Sequence, residues 1–141
     1  MNNERFLKLH DADDNKVVIV SQNMITLCQG QNKDGKRYTI VFINTDAINS
    51  VTVNEAPEKI YQLLDEASVK YQFLKLHDAD DNSVVILNQE LITLCQGTEN
   101  NGKKQTTIYI KSDDISSITV NEAPEKIYLL INDNIKNASK D

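Results

Sequence analysis

The sequence predicts an α+β protein built from two tandem β5α units, each a small antiparallel sheet or barrel closed by a C-terminal helix. The first observation is that V-N-E-A-P-E-K-I-Y at Val53–Tyr61 returns letter for letter at Val120–Tyr128. The second is that a shift of 67 residues aligns Phe6–Leu64 with Phe73–Ile131 without a gap, with 38 of 59 positions identical. The third is that each copy holds several alternating apolar runs followed by one helical run.

Chain length favours two small units that support each other. A unit of about 60 residues buries little core on its own. We divide the chain into repeat 1 at residues 1–67, repeat 2 at residues 68–135 and a flexible tail at residues 136–141. Since the connection between the repeats is short, we expect the halves to touch in a pseudo-twofold arrangement, with sheets that share an edge or pack face to face.

The strands are predicted from apolar periodicity. Phe6–His10 alternates in the manner of a half-buried strand, and Asp11–Asn15 is typical of a turn. Val17–Val20 is continuously apolar and β-branched, so this strand should be covered on both faces. After a polar link at Ser21–Asn23, further strands are predicted at Met24–Cys28, Arg37–Ile43 and Ile48–Val53.

The two copies differ most at Gln31–Asp34 and Thr98–Asn101. Gly35 and Gly102 follow these stretches, so both are predicted to be loops.

A helix is predicted to begin at Pro57 in the first copy. Proline suits the first helical turn, and Glu55 and Glu58 complement the positive end of the helix dipole. Asn54 or Ala56 is the expected cap residue. The apolar face of each helix is predicted to comprise Ile60, Leu63, Leu64 and Ala67 in one copy, and Ile127, Leu130, Ile131 and Ile135 in the other.

Composition and charge exclude several classes of function. The net charge of −6 is shared evenly, with 7 bases against 10 acids in residues 1–67 and 8 against 11 in residues 68–141, which disfavours direct nucleic-acid binding. No apolar run suggests a signal peptide or membrane contact, so a cytoplasmic location is expected. Cys28 and Cys95 occupy one repeat position and suggest neither a disulfide nor a zinc site, and no cofactor is predicted.

The order of strands and the P-E-x-I motif that opens each helix give the chain a family resemblance. From the Leu7–His10 strand to the Pro57–Leu64 helix, each repeat resembles the small flagellar FlbD or swarming-protein type of bacterial protein, an outline shared with phage proteins. The final strand and helix are also similar to the RNA-binding carbon storage regulators, but the acidic charge argues against that function. The resemblance implies a bacterial or phage origin and a binding role.

Two chemical interpretations were weighed against simpler ones. Asp11, Asp13 and Asn15 match the first, third and fifth places of a calcium loop, but Lys16 and Gln22 stand where that loop needs Gly and Glu, which favours an acidic turn. Cys28 and His10 are a conceivable nucleophile pair without any third group to orient the histidine, so we expect no enzyme. The Gly spacing does not fit a phosphate loop.

An apolar strand face is the predicted binding surface. The positions Gln105, Thr107 and Tyr109 of repeat 2 become Tyr38, Ile40 and Phe42 in repeat 1, and such a face is normally covered by the other repeat, a second copy or a ligand. The candidate binding residues are Tyr38, Ile40, Phe42, Tyr109, Tyr61, Tyr128, and the acidic turn residues Asp11, Asp13, Asp14, Asp78, Asp80 and Asp81.

The favoured function is non-enzymatic binding of a protein partner, or of further copies of the chain, with the acidic turns steering a basic partner. The alternative is a protein that sequesters a small molecule between the repeats or at an oligomer interface, as in a phage inhibitor of host defence. A component of a flagellar or phage assembly is the third interpretation.

Overall fold

A computed structural model describes residues 6–43, 49–66, 72–112 and 115–138. In these ranges the protein is an α+β fold with ten strands in three antiparallel sheets and two α-helices. Neither helix, within the described ranges, is long and apolar enough to cross a membrane.

The elements of the first half follow the predicted order. A short 3₁₀ helix at Gln22–Met24 forms the predicted polar link between the second and third strands. The elements are β1 at Phe6–His10, β2 at Val17–Ser21, β3 at Ile25–Lys33, β4 at Lys36–Ile43, β5 at Ser50–Val53 and α1 at Pro57–Glu66.

The second half has the same order of elements, each beginning 67 residues later. A 3₁₀ helix at Gln89–Leu91 again links two strands. The elements are β6 at Phe73–His77, β7 at Val84–Asn88, β8 at Ile92–Asn100, β9 at Lys103–Ile110, β10 at Ser117–Val120 and α2 at Pro124–Ala138.

The largest sheet combines strands from both halves. Its order is β5-β4-β3-β7-β6, so the β6–β7 hairpin of the second half continues the sheet of the first half. The junction is the antiparallel β3–β7 ladder, in which Leu27 lies opposite Leu87, Cys28 opposite Ile86 and Gln29 opposite Val85. The halves therefore share a sheet edge, which was one of the two expected arrangements.

The strand pairing is one-sided. A twofold relation would also require β2 to pair with β8, but among the described strands β2 pairs only with β1, and β8 only with β9. The β1–β2 hairpin and the β8–β9–β10 sheet are thus left at the two ends of the molecule. The pairing does not follow the expected pseudo-twofold arrangement, because one hairpin has joined the other half and its counterpart has not.

Two apolar cores lie on either side of the β6–β7 hairpin. We call them the first core and the second core. The first core is formed by Leu7, Leu9, Val20, Ile25, Cys28, Val41, Val53, Ile60, Leu64, Phe73 and Ile86. The second core is formed by Leu27, Leu74, Leu76, Val85, Leu87, Ile108, Ile110, Val120 and Ile127. Each core contains residues from both halves, so the halves stabilise each other as predicted from their size.

The predicted loops at Gln31–Asp34 and Thr98–Asn101 are wrong. β3 runs through Lys33, and the turn to β4 consists of Asp34 and Gly35, with φ values of 54° and 78°. Asp-Gly with two positive φ values matches a two-residue hairpin turn, whose twist suits the flanking strands. The sequence difference between the copies therefore falls on exposed strand ends and on the turn.

Both helices begin at the predicted proline. The carbonyl of Ala56 accepts the first helical bonds, from the N–H groups of Lys59 and Ile60, which makes Ala56 the cap residue. Ile60 and Leu64 are buried as predicted, whereas Ala67 lies outside the described residues.

The C-terminal tail needs a correction. α2 continues through Ala138, so residues 136–138 are helical, and residues 139–141 lie outside the described part of the chain. The Asn134 side chain anchors this extension, because its Nδ2 donates to the Phe73 carbonyl at 3.0 Å and to Oε1 of Gln89 at 2.9 Å. Ile135, predicted on the buried face, is exposed.

Candidate protein-binding site

The first half shows an occupied strand edge. The β6–β7 hairpin lies along β3 and covers the space beside α1. Its side chains enter the first core, where Phe73 is 1% exposed and Ile86 is 0% exposed. Burial of two large apolar side chains is the main stabilisation of this contact.

Polar contacts fix the register of the hairpin. The Gln29 side-chain amide donates to Oδ2 of Asp78 at 2.8 Å. Asn88 donates to the Ile25 carbonyl at 3.1 Å from a buried position. Each bond crosses from one half to the other, so the hairpin has a single satisfied position on β3.

The second half presents the same edge without an occupant. We define the open edge as Leu94–Gln96 on β8, which corresponds to Leu27–Gln29 on β3. Leu94 is 53% exposed, whereas Leu27 is 1% exposed. The identical residues differ because a hairpin covers β3 and none covers β8 in the described structure. Exposed strand edges are normally protected, since their free N–H and C=O groups recruit further strands.

An apolar groove runs beside the open edge. It has a volume of about 560 Å³, and we call it the α2 groove. Its lining residues are Cys95, Pro124, Glu125, Ile127, Tyr128, Leu129 and Ile131. Tyr128 is 68% exposed, so much of this apolar surface faces solvent.

The glycine on each strand shows the same difference. A Cβ at Gly30 would lie 2.8 Å from Cγ of Pro57 and 3.4 Å from the carbonyl oxygen of Val84 in the hairpin. At Gly97 only the ring of Pro124 lies within 4 Å. Glycine thus permits a close approach of the helix in both halves and of the hairpin in the first half alone.

The β1–β2 hairpin carries a second uncovered apolar surface. We define the outer hairpin face as Phe6, Val17 and Ile19, of which Phe6 is 58% and Ile19 is 67% exposed. The sequence predicted cover on both faces of this apolar strand. That prediction is correct for β7, which lies between the two cores, and wrong for β2, which has a core on one side only.

The predicted face on β4 is partly covered by the other half. Tyr38, Ile40 and Phe42 are each half-buried. Phe42 packs against the second core, and the Nζ of Lys36 lies 5.4 Å from the centroid of the Tyr38 ring. Tyr109, the counterpart of Phe42, is exposed and pairs with Leu94 of the open edge.

The two helix tyrosines differ in the same way. Tyr61 packs against the first core, and the Nζ of Lys75 from the β6–β7 hairpin lies 5.8 Å from the centroid of its ring. Tyr128 lines the α2 groove and is exposed. The tyrosine of each helix therefore marks the place where a hairpin lies or is missing.

The acidic residues form turns, as predicted. The backbone N–H of Asp13 donates to the Asp11 carboxylate at 2.8 Å, and the equivalent bond joins Asp80 to Asp78 at 2.8 Å. Asp14 likewise accepts from the N–H of Lys16, and Asp81 from that of Ser83. Within the described residues no group of three or more acidic, histidine or cysteine side chains is placed to hold a metal ion.

Histidine and cysteine are separated in their chemistry. The Nδ1 of His10 lies 2.7 Å from Oε2 of Glu55, and the backbone N–H of His10 donates to Oε1 at 3.0 Å. Burial acts to raise the pKa of Glu55, but the hydrogen bonds from His10 outweigh it and hold that pKa below its ordinary value. Burial raises the pKa of Cys28 to about 12, so its thiol stays neutral.

The open edge, the α2 groove and the outer hairpin face were not predicted as sites. One signal was present in the sequence, since Val17–Val20 and Val84–Leu87 both call for cover on two faces. The missing information was which half supplies that cover.

The chain matches no known family model, no curated protein and no solved structure. Its function must be inferred from its own surfaces.

Proposed function

We propose that the protein is a non-enzymatic binding protein whose open edge and α2 groove accept a strand from a protein partner. The observation that supports this proposal is the occupied edge of the first half, where the same residues hold the β6–β7 hairpin. Addition of a strand to a sheet edge gives affinity through main-chain hydrogen bonds, and adjacent pockets give specificity through alternate side chains.

We further propose that the halves are two copies of one β5α module. The hydrogen bonds inside each half support this, because they recur 67 residues apart. Thr39 donates to the Glu55 carbonyl at 2.7 Å, and Thr106 donates to the Glu122 carbonyl at 2.7 Å. The His77 ring lies 2.7 Å from Glu122, as the His10 ring does from Glu55. A module that normally binds a neighbouring hairpin leaves one binding edge free at the end of a two-module chain.

The charge of the protein favours a protein strand over a nucleic acid. With a net charge of −6 and acidic turns on both halves, the surface repels phosphate. Asp13, Asp14 and Asp81 are exposed and are placed to steer basic residues of a partner.

Affinity capture tests the binding function. The tagged wild type is compared with Leu94→Lys, which places a charge on the open edge, and with Asn100→Lys, which adds the same charge to the same strand. The control is well matched because Lys33 already occupies the equivalent position on β3, outside the three-residue ladder with β7. We expect a defined protein to be retained by the wild type and by Asn100→Lys and to be lost with Leu94→Lys. Equal retention by all three chains would refute the open edge as the site.

The α2 groove also favours a second candidate, the sequestration of a small molecule. Its volume of about 560 Å³ and its apolar lining with Tyr128 at the rim suit an apolar ligand. Such a ligand would accompany the protein purified under native conditions and be released on denaturation, where mass spectrometry detects it. Its presence in the wild type and its loss in a Leu129→Lys variant would support sequestration, which is the activity expected of a phage-type inhibitor.

A further inference from the structure

We propose that the open edge and the α2 groove bind the β1–β2 hairpin of a second copy of this chain, so that chains associate head to tail. This inference rests on the proposed function and names its partner. The hairpin and the edge are the two surfaces that lack a neighbour in the described structure.

The pairing inside the chain defines the pairing between chains. A shift of the β3–β7 register by 67 residues turns β3 into β8 and β7 into β2. The resulting ladder places Leu94 opposite Val20, Cys95 opposite Ile19 and Gln96 opposite Val18 of the second copy. Five of these six residues are identical to their counterparts in the internal ladder, and the sixth exchanges Leu87 for Val20.

The uncovered side chains match the buried ones. Phe6 and Ile19 of the outer hairpin face correspond to Phe73 and Ile86, which fill the first core beside α1. The α2 groove is the equivalent space in the second half, and it has no such filling. Docking would therefore bury the large exposed apolar groups of both surfaces in one step, as in an obligate interface.

Polar partners across the interface are also conserved between the two positions in the chain. Gln96 and Asp11 correspond to Gln29 and Asp78, whose side chains form a hydrogen bond across the internal junction. Lys8 and Tyr128 correspond to Lys75 and Tyr61, which form the cation–π contact.

One contact has no counterpart. Ser21 stands where Asn88 donates to the Ile25 carbonyl, and serine is too short to repeat that bond. The interface between chains is therefore weaker than the internal junction, so its occupancy depends on concentration.

The interface is heterologous, because each chain offers one hairpin and one edge. Two chains that each use both surfaces would close as a dimer, whereas a relation that does not close would extend as a filament. Either assembly supplies the β2–β8 pairing that the single chain lacks.

Light scattering on the purified chain across a range of concentrations is the first test. We expect the wild type to associate, and we expect Ile19→Lys and Leu94→Lys each to be monomeric, with association weakened on the order of 100-fold by a buried charge. Both positions are more than half exposed in the single chain, so these variants should fold. Asn100→Lys should associate like the wild type.

Mixing the two variants tests the head-to-tail relation. Ile19→Lys keeps an intact open edge, and Leu94→Lys keeps an intact hairpin, so the mixture has one good interface and should form a one-to-one dimer. Circular dichroism of each variant controls for folding. If an interface joined two open edges to each other, the mixture would stay monomeric.

The outcomes separate this inference from the proposed function. A wild type that is monomeric up to about 1 mM, or a mixture that never dimerises, overturns the hairpin as the partner. Capture of a different protein by the wild type but not by Leu94→Lys would then leave the proposed function intact. Monomeric chains that capture nothing through the open edge would overturn both.

Discussion

Ile19 and Ile86 occupy the same position in the two hairpins, and mutation to alanine should separate their roles. Ile86 is 0% exposed between the two cores, whereas Ile19 is 67% exposed. We expect Ile86→Ala to cost several times more stability than Ile19→Ala when both are measured on the single chain.

The magnitude follows from the burial. Replacement of Ile86 removes three buried carbons at about 0.8 kcal/mol each, and the cavity left in a packed core brings the total to about 3–4 kcal/mol. At Ile19 the lost strand preference of a β-branched residue is the main term, at most about 1 kcal/mol. The expected difference is about 2–3 kcal/mol, which is a large share of the stability of a small protein.

Urea unfolding followed by circular dichroism at low protein concentration measures both values. At high concentration the cost of Ile19→Ala should grow, because association with a second chain buries that side chain. Equal costs at low concentration would refute the one-sided pairing of the hairpins. A cost for Ile19→Ala that does not change with concentration would contradict the head-to-tail contact.

Three further predictions concern single sites. A thiol reagent analysed by mass spectrometry should label Cys95 in the folded chain and Cys28 only after unfolding, because burial raises the pKa of Cys28 to about 12; equal labelling would contradict this. Since the pKa of Glu55 is lowered on folding, its contribution to stability is complete above its unfolded pKa of about 4.3 and is lost as the pH falls through the lower folded value. Acid titrations of unfolding free energy should therefore show a smaller loss for Glu55→Gln, and an unchanged profile would show that the bonds with His10 contribute nothing. Gly35→Ala should cost about 1 kcal/mol in the same unfolding assay, because φ is 78° there, and a stabilised variant would contradict that geometry.

Local features were predictable because short-range chemistry decides them. Pro57 begins a helix, since its missing N–H costs nothing there, and the Asp11–Asn15 stretch forms a turn through its own carboxylates. The error at Gln31–Asp34 has a local cause as well. Polar residues were taken to indicate a loop, although Asp34-Gly35 is itself a turn signal that leaves the preceding residues free to extend the strand.

The candidate site was only partly predictable. The half-buried β4 face lies against the other half at Phe42, as one of the predicted alternatives required. The open edge was missed, because Leu94 has the same neighbours along the chain as Leu27 and no residue beside it in sequence reveals its exposure.

The sequence by itself determined the strands, the turns, the two helices and the repetition of all of them, because these depend on side-chain period and on backbone preferences within a few residues. Only the tertiary structure decided that the β6–β7 hairpin joins β3 and that the β1–β2 hairpin and β8 stay open. The physical reason is that pairing a strand edge requires a neighbour in space. In a chain of two similar halves, one hairpin has a neighbouring edge, and the hairpin at one end and the edge at the other do not.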